Sequence, residues 1–410
     1  METLTEVSKI QELENGSILS PKGFQTGGTH AGLRYSRKDV GMIYSEVPAN
    51  SSAVYTLNDF QAAPIQVTKE SLSQSGQLQA VVVNSACANA CTGEQGLKDA
   101  YEMRELAAQK IGLNPSLVAV ASTGVIGEYL QMDKIKLGIS QLELGNEQQN
   151  AEDFQTAILT TDLCMKSCGF KAVIDGKTVH IGGAAKGSGM IHPNMATMLG
   201  FITTDANISA EHLHTALRKV TDVTFNQITV DGDTSTNDMV LVMANGQAEN
   251  EALTPSHPEW DTFMELLAKT SENLAKQIAK DGEGATKLVE VEVVGAYDNE
   301  DARKVAKQIV GSNLVKTAIY GADANWGRII GAIGQADTKA ISEKVTISIG
   351  PVTMLEKSNL VPFSEEEAEN YLQQDFIEIF VDLHLGDGIG KAWGCDLSYD
   401  YVKINASYRT

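Results

Sequence analysis

The segment that most constrains the fold lies between Val173 and Ile181, where two β-rich arms flank Asp175-Gly176. Asp-Gly supplies two residues that tolerate positive φ, so the spacing predicts a tight antiparallel hairpin. The second arm runs straight into Gly182-Gly183-Ala184-Ala185-Lys186-Gly187-Ser188-Gly189 and on to Met195-Ala196-Thr197-Met198-Leu199. That stretch reads as a flexible small-residue loop holding one lysine, followed by an apolar strand that opens on a threonine. Elsewhere strands and helices alternate irregularly, without the regular βαβ rhythm of a doubly wound parallel sheet. The expected class is therefore α/β of the α+β type, with layered mixed and largely antiparallel sheets and flanking helices.

The remaining elements follow from periodicity and caps. Gln79–Asn84 and Val118–Ala121 read as short buried strands, and Leu288–Val294, Lys344–Ile349 and Phe376–Val381 alternate like strands. Thr92 with Gln95 resembles a capping box opening a helix over about 93–110. Ser209 to Lys219 reads as an amphipathic helix. Ser256 with Glu259 suggests a second capping box at the head of the longest helix, whose apolar stripe is Phe263, Leu267, Leu274 and Ile278. Residues 140–155 are polar and read as a solvated helix end plus loop.

With 410 residues the chain can bury a large core, and its net charge of −21 argues against nucleic acid or an anionic membrane as partner. The first residues are polar and acidic, and no run approaches the ~18 apolar residues of a membrane span, so a reduced cytoplasmic protein is expected. The five cysteines include two i,i+4 pairs, Cys87/Cys91 and Cys164/Cys168. Neither pair has zinc-knuckle spacing, and buried free thiols are the expected reading, with no metal.

The glycine segment lacks both common phosphate-loop patterns. Asp231 to Asp238 starts like a calcium loop, but it has Thr236 where that loop requires glycine, so a hydrogen-bonded turn is expected. There is no nucleophile elbow, and His192 before Pro193 reads as a turn residue. Thr197 is the residue with distinctive chemical potential. If the bond before it were cut, its new amine would sit beside its hydroxyl and could act as base. On spacing alone, an ordinary buried strand threonine is the competing reading.

A resemblance changes that balance. Gly182–Leu199, Ser122–Gly127, Phe225–Asp238, Asp281–Lys287, Gly321–Arg328 and Trp393–Thr410 together resemble ornithine acetyltransferase, the glutamate N-acetyltransferase of the cyclic arginine pathway. The resemblance implies cleavage between Ala196 and Thr197, giving an α chain of residues 1–196 and a β chain of residues 197–410 in an α2β2 heterotetramer. It implies that Thr197 is the nucleophile carrying acetyl from N-acetylornithine to glutamate by a ping-pong route, releasing ornithine and N-acetylglutamate. It casts Thr123 and Gly124 as the oxyanion hole, and Thr160, Lys186, Thr197, Glu283, Asn405 and Thr410 as substrate contacts, with Thr161 an alternative to Thr160. Lys186 would meet the α-carboxylate, and Glu283 the side-chain amine of ornithine. No tightly bound cofactor is implied, but acetyl-CoA is expected as a second acetyl donor. A monofunctional transferase and an aminopeptidase-type hydrolase of the same architecture are the alternatives. The chain departs from the family at Ala86 and Cys87, where the family often has Gly and Asn.

Overall fold

A computed structural model of the chain describes residues 10–192, 198–340 and 343–407. Its strands begin with β1 (Ile10–Glu12), β2 (Phe24–Thr29), β3 (Val40–Tyr55), β4 (Gln77–Asn84) and β5 (Val118–Ser122). The predicted hairpin follows as β6 (Lys166–Ile174) and β7 (Lys177–Lys186), then β8 (Leu199–Thr204), β9 (Ile228–Thr229), β10 (Met239–Ala244) and β11 (Leu288–Ala296). The series closes with β12 (Thr346–Ile349), β13 (Val352–Glu356), β14 (Asn359–Leu360), β15 (Phe376–Asp382) and β16 (Gly388–Cys395).

Two sheets result. The first runs β1-β6-β7-β8-β10-β3-β4-β5 with β2 paired to β3, and the second runs β14-β13-β12-β15-β11-β16-β9. Most neighbours are antiparallel, while β8/β10, β4/β5, β11/β15 and β16/β9 are parallel. The layered mixed architecture expected from the sequence is the one observed. Helix Trp260–Lys280 lies against β6 and β7 and also reaches β16, so it couples the two sheets. Its predicted stripe is fully buried, and each such side chain contributes about 1.5–3 kcal/mol relative to exposure. On the opposite face of the first sheet, Phe154 packs edge-on against Phe201 of β8. The second sheet has its own core under helices Asn299–Gly311, Asn313–Tyr320 and Trp326–Gly334.

The hairpin turns through Asp175 and Gly176 at φ 50° and 70°. Beyond it the expectation of a flexible glycine loop is wrong, because β7 continues through Gly182, Gly183, Ala184 and Ala185 to Lys186. Those glycines serve close packing. A Cβ on Gly182 would lie 1.8 Å from the Ser17 carbonyl oxygen, and one on Gly183 would lie 2.7 Å from Leu274 Cδ1. Two backbones can therefore approach where any side chain would hold them apart.

Three local expectations are also corrected. Helix Gly93–Ile111 forms, but the Thr92 hydroxyl donates to Asn89 Oδ1 instead of capping it. The longest helix starts at Trp260, not at Ser256; Ser256 shares a hydroxyl contact with Thr254, and a turn carrying Pro258 precedes the helix. Within the polar stretch 140–155, residues Gln148–Ile158 form a true helix, started by a reciprocal Glu147/Asn150 capping box and buried through Phe154.

Candidate active site

A cleft of about 360 Å³ opens where the connections leaving β5, β7 and β9 meet the C-terminal helix Tyr399–Ala406. Thr123, Gly124, Thr160, Lys186, Glu283 and Asn405 all line it, so residues spread over most of the chain converge. Thr161 lines it too, and the adjacent pair share that wall. Ala196, Thr197 and Thr410 lie outside the described residues, while Met198 and Leu199, directly after Thr197, line the cleft.

One wall is neutral. β5 ends at Ser122, and the amides of Thr123 and Val125 donate to the carbonyls of Asn84 and Ala86 at 3.0 and 2.9 Å. Among the described residues this leaves the Gly124 amide between them without a backbone partner. Gly124 has φ 132°, and a Cβ there would sit 2.2 Å from the Ala86 carbonyl carbon and oxygen, so only glycine fits. Ala86 itself takes φ 94°, a conformation that favours glycine. Asn237 braces this turn, donating to the carbonyls of Ser122 (2.9 Å) and Ala88 (2.6 Å).

The other wall is charged. Lys186 ends β7 and is buried; burial pushes its ammonium down while the Asp162 carboxylate pulls it up. Asp162 accepts from Lys166 Nζ and the Gly187 amide, both at 2.7 Å, and from the Thr160 amide at 2.8 Å. Burial alone would raise its pKa, yet Lys186, Lys166 and these donors hold it well below the usual carboxylate range. Lys166, fully buried, also pairs with Asp281 at 2.5 Å. The Asp281 carbonyl then accepts from Ser188 Oγ (2.7 Å), and the Ser188 carbonyl accepts the Glu283 amide (3.1 Å). One buried ion network thus sets Thr160, Lys186 and the approach to Glu283 together.

Glu283 is buried and accepts from Asn405 Nδ2 at 2.8 Å. Two glycines make that contact possible. A Cβ on Gly189 would strike the Glu283 carboxylate at 2.4 Å, and one on Gly284 would come within 2.5 Å of the Tyr401 amide. The chain end therefore does fold back over the site, at least through Asn405.

Sequence reasoning missed Asp162, Lys166 and Asp281, and gave no role to the tail of the acidic run. The Asp231 carboxylate accepts the amides of Met190 (2.6 Å) and Ile191 (2.9 Å), a hydrogen-bonded turn. Ser235, Asn237 and Asp238 line the cleft. Asp238 is buried, its Oδ2 has no hydrogen-bond partner among the described residues, and burial drives its pKa well above the ordinary range despite Ser235 and Lys186. The available signal was a polar Ser-Thr-Asn-Asp run feeding a wholly apolar strand, β10. His192 is structural: its Nδ1 meets Thr229 Oγ1 at 3.0 Å, and burial pushes it down to about 4. The cysteines are free, but Cys91 and Cys164 are exposed, contrary to the expectation of burial. No helix among the described residues is long and apolar enough to cross a membrane.

Comparison with known proteins fits this geometry. The chain is 66% identical over 410 residues to the arginine biosynthesis bifunctional protein ArgJ of Geobacillus kaustophilus, covering 100% of both chains. It is 62% identical over 395 residues to the protein of that name from Bacillus subtilis, covering 96% of this chain and 97% of that one. A crystal structure of the Bacillus halodurans ArgJ protein, 63% identical with a TM-score of 0.51, covers 52% of this chain and 100% of its own. Residues 25–410 match the ArgJ family. With full-length identity at this level, the chain belongs to the ArgJ family.

Proposed function

We propose that the chain is a bifunctional acetyltransferase of arginine biosynthesis, moving acetyl from N-acetylornithine or from acetyl-CoA to glutamate. The observation that carries this reading is the single cleft in which an oxyanion-type turn, Thr123-Gly124, faces a buried lysine and a buried glutamate. A neutral donor pair suits a developing tetrahedral oxyanion, and one such donor is typically worth about 3 kcal/mol. Lys186 and Glu283 match the opposite charges of an amino-acid substrate.

In the proposed mechanism Thr197 Oγ first attacks the Ala196 carbonyl, the C–N bond breaks to leave an ester on Oγ and a free Thr197 amine, and water hydrolyses that ester to the Ala196 carboxylate and the Thr197 hydroxyl. Thr197 Oγ then attacks the acetyl carbonyl of N-acetylornithine while its proton passes to that amine. The oxyanion is held by the Thr123 hydroxyl and the Gly124 N–H. Collapse breaks the C–N bond, the ornithine nitrogen takes the proton, and acetyl remains as an ester on Thr197. The glutamate amine attacks that ester, the alkoxide regains a proton, and N-acetylglutamate leaves. Acetyl-CoA enters at the first step, with the thiol as leaving group.

Cleavage there is compatible with the sheet. Lys186 at the end of β7 is the register partner of Leu199 at the start of β8, so cutting their connection leaves the strands paired. The coverage of the Bacillus halodurans chain lends support: residues 197–410 are 214 of 410, or 52%, the same share that its complete chain matches. The same reading makes the two products an α2β2 assembly, and Thr410 a contact from the chain end. Denaturing intact mass tests it directly. Two chains dividing before Thr197, with acetyl transfer faster than acetate release, are expected; one intact 44.0 kDa species in active enzyme, or acetate release outpacing transfer, would overturn it.

A further inference from the structure

A cleft of about 360 Å³ holds an acylated amino acid, but not a whole coenzyme A. If acetyl-CoA delivers its acetyl group there, the phosphorylated nucleotide end must rest on the surface outside. Most of that surface is hostile to it, since Asp and Glu outnumber Lys and Arg by 53 to 32. One segment departs from that balance: Arg34-Tyr35-Ser36-Arg37-Lys38.

This loop is built and fastened to the cleft. The fully buried Asp39 accepts the amides of Ala31 (2.6 Å), Leu33 (2.7 Å) and Arg34 (2.9 Å), which curls the preceding residues into a fixed shape. Arg34 Nη1 donates to the Thr160 carbonyl at 3.3 Å, and Arg37 Nη1 to the Asp162 carbonyl at 3.1 Å. Both arginines therefore grip the stretch that forms the charged wall. Lys38 pairs with Asp153, which tempers its charge. Arg37 remains exposed, and Tyr35, at 102% relative exposure, is covered by none of the described residues. An open aromatic flanked by guanidinium groups can stack on a base while the guanidinium forks meet phosphate oxygens.

We propose that this loop docks the nucleotide end of acetyl-CoA, with Tyr35 stacking on the adenine and Arg37 pairing with the phosphates at the mouth of the cleft. The inference rests on the acetyl-CoA reading above, and its test separates the two. Initial rates of the full-length enzyme are measured with acetyl-CoA, with 3′-dephospho-acetyl-CoA, with a short acetyl thioester lacking the nucleotide, and with N-acetylornithine. Ser36→Glu places a carboxylate within the loop without removing a described contact, and Tyr35→Ala removes the ring. The KM for acetyl-CoA should rise about tenfold in Ser36→Glu and several-fold in Tyr35→Ala. The Ser36→Glu effect should shrink with the dephospho donor and at high ionic strength, and vanish with the short thioester and with N-acetylornithine. An unchanged acetyl-CoA KM in both variants would overturn the proposal while leaving acetyl-CoA use intact. A wild-type enzyme that turns over N-acetylornithine but not acetyl-CoA would overturn the underlying reading, and this proposal with it.

Discussion

Asp162 and Asp238 are both buried and both feel the charge of Lys186, yet their environments drive them in opposite directions. Asp162 sits among two lysines and two backbone amides and stays ionised far below the ordinary range. Asp238 Oδ2 has no hydrogen-bond partner among the described residues, and burial raises the pKa of its carboxyl well above that range. Burial is common to both, so burial alone does not set the direction; the cations beside each carboxyl, with the donors aimed at it, do. One aspartate is scaffold for the site. The other lines the cleft, with burial favouring its protonated form.

The largest expected effect is on the scaffold. Asp162→Asn leaves Lys166 and Lys186 buried with a missing counter-charge and should cost about 3–5 kcal/mol, read from urea unfolding at pH 7. Because the folded pKa of Asp162 is depressed, its stabilisation is present above the unfolded value near 4 and fades as pH falls below it. The deficit of the variant should shrink in step, and a deficit independent of pH would break the contrast. Lys186→Met removes the cation both aspartates face. Acetyl transfer from N-acetylornithine should fall about a hundredfold, equivalent to about 2.7 kcal/mol, with stability less affected because Asp162 keeps Lys166.

Asp238→Asn should act in the opposite sense. Its folded pKa is raised, so the native state is favoured below about pH 4 and loses ground as the unfolded carboxyl ionises above it. The amide removes that loss, and a gain of about 1–2 kcal/mol at pH 7 that disappears near pH 4 is expected from paired unfolding curves. A destabilised variant at pH 7 would show that the carboxyl is ionised and paired. The smallest effect sharpens the comparison from the neutral wall. Ala86→Gly should stabilise by about 1 kcal/mol through relief of a left-handed alanine, equally at every pH from 4 to 7.

The hairpin, the helix stripe Phe263-Leu267-Leu274-Ile278 and the amphipathic helix over Ser209 to Lys219 were legible because each rests on neighbours within a few residues. The false caps at Thr92 and Ser256 show the limit of such signals: the residue types were right, but nearer partners claimed the hydroxyls. The glycine stretch misled for a different reason. Glycine signals both freedom and close packing, and only Ser17 and Leu274, far along the chain, decide between them.

Of the site, the sequence by itself singled out the candidates Thr123-Gly124, Lys186, Glu283 and Asn405, because their motifs are local and their resemblance spans the chain. It also determined the hairpin that carries Lys186. Tertiary structure alone decided that these residues share one cleft, that Asp162, Lys166 and Asp281 lock its charged wall, and that Asp238 lines it with an Oδ2 that has no hydrogen-bond partner among the described residues. The reason is physical: charge state, packing and hydrogen-bond partners depend on groups more than a hundred residues apart in sequence, as Lys166 and Asp281 are, and no local pattern encodes that distance.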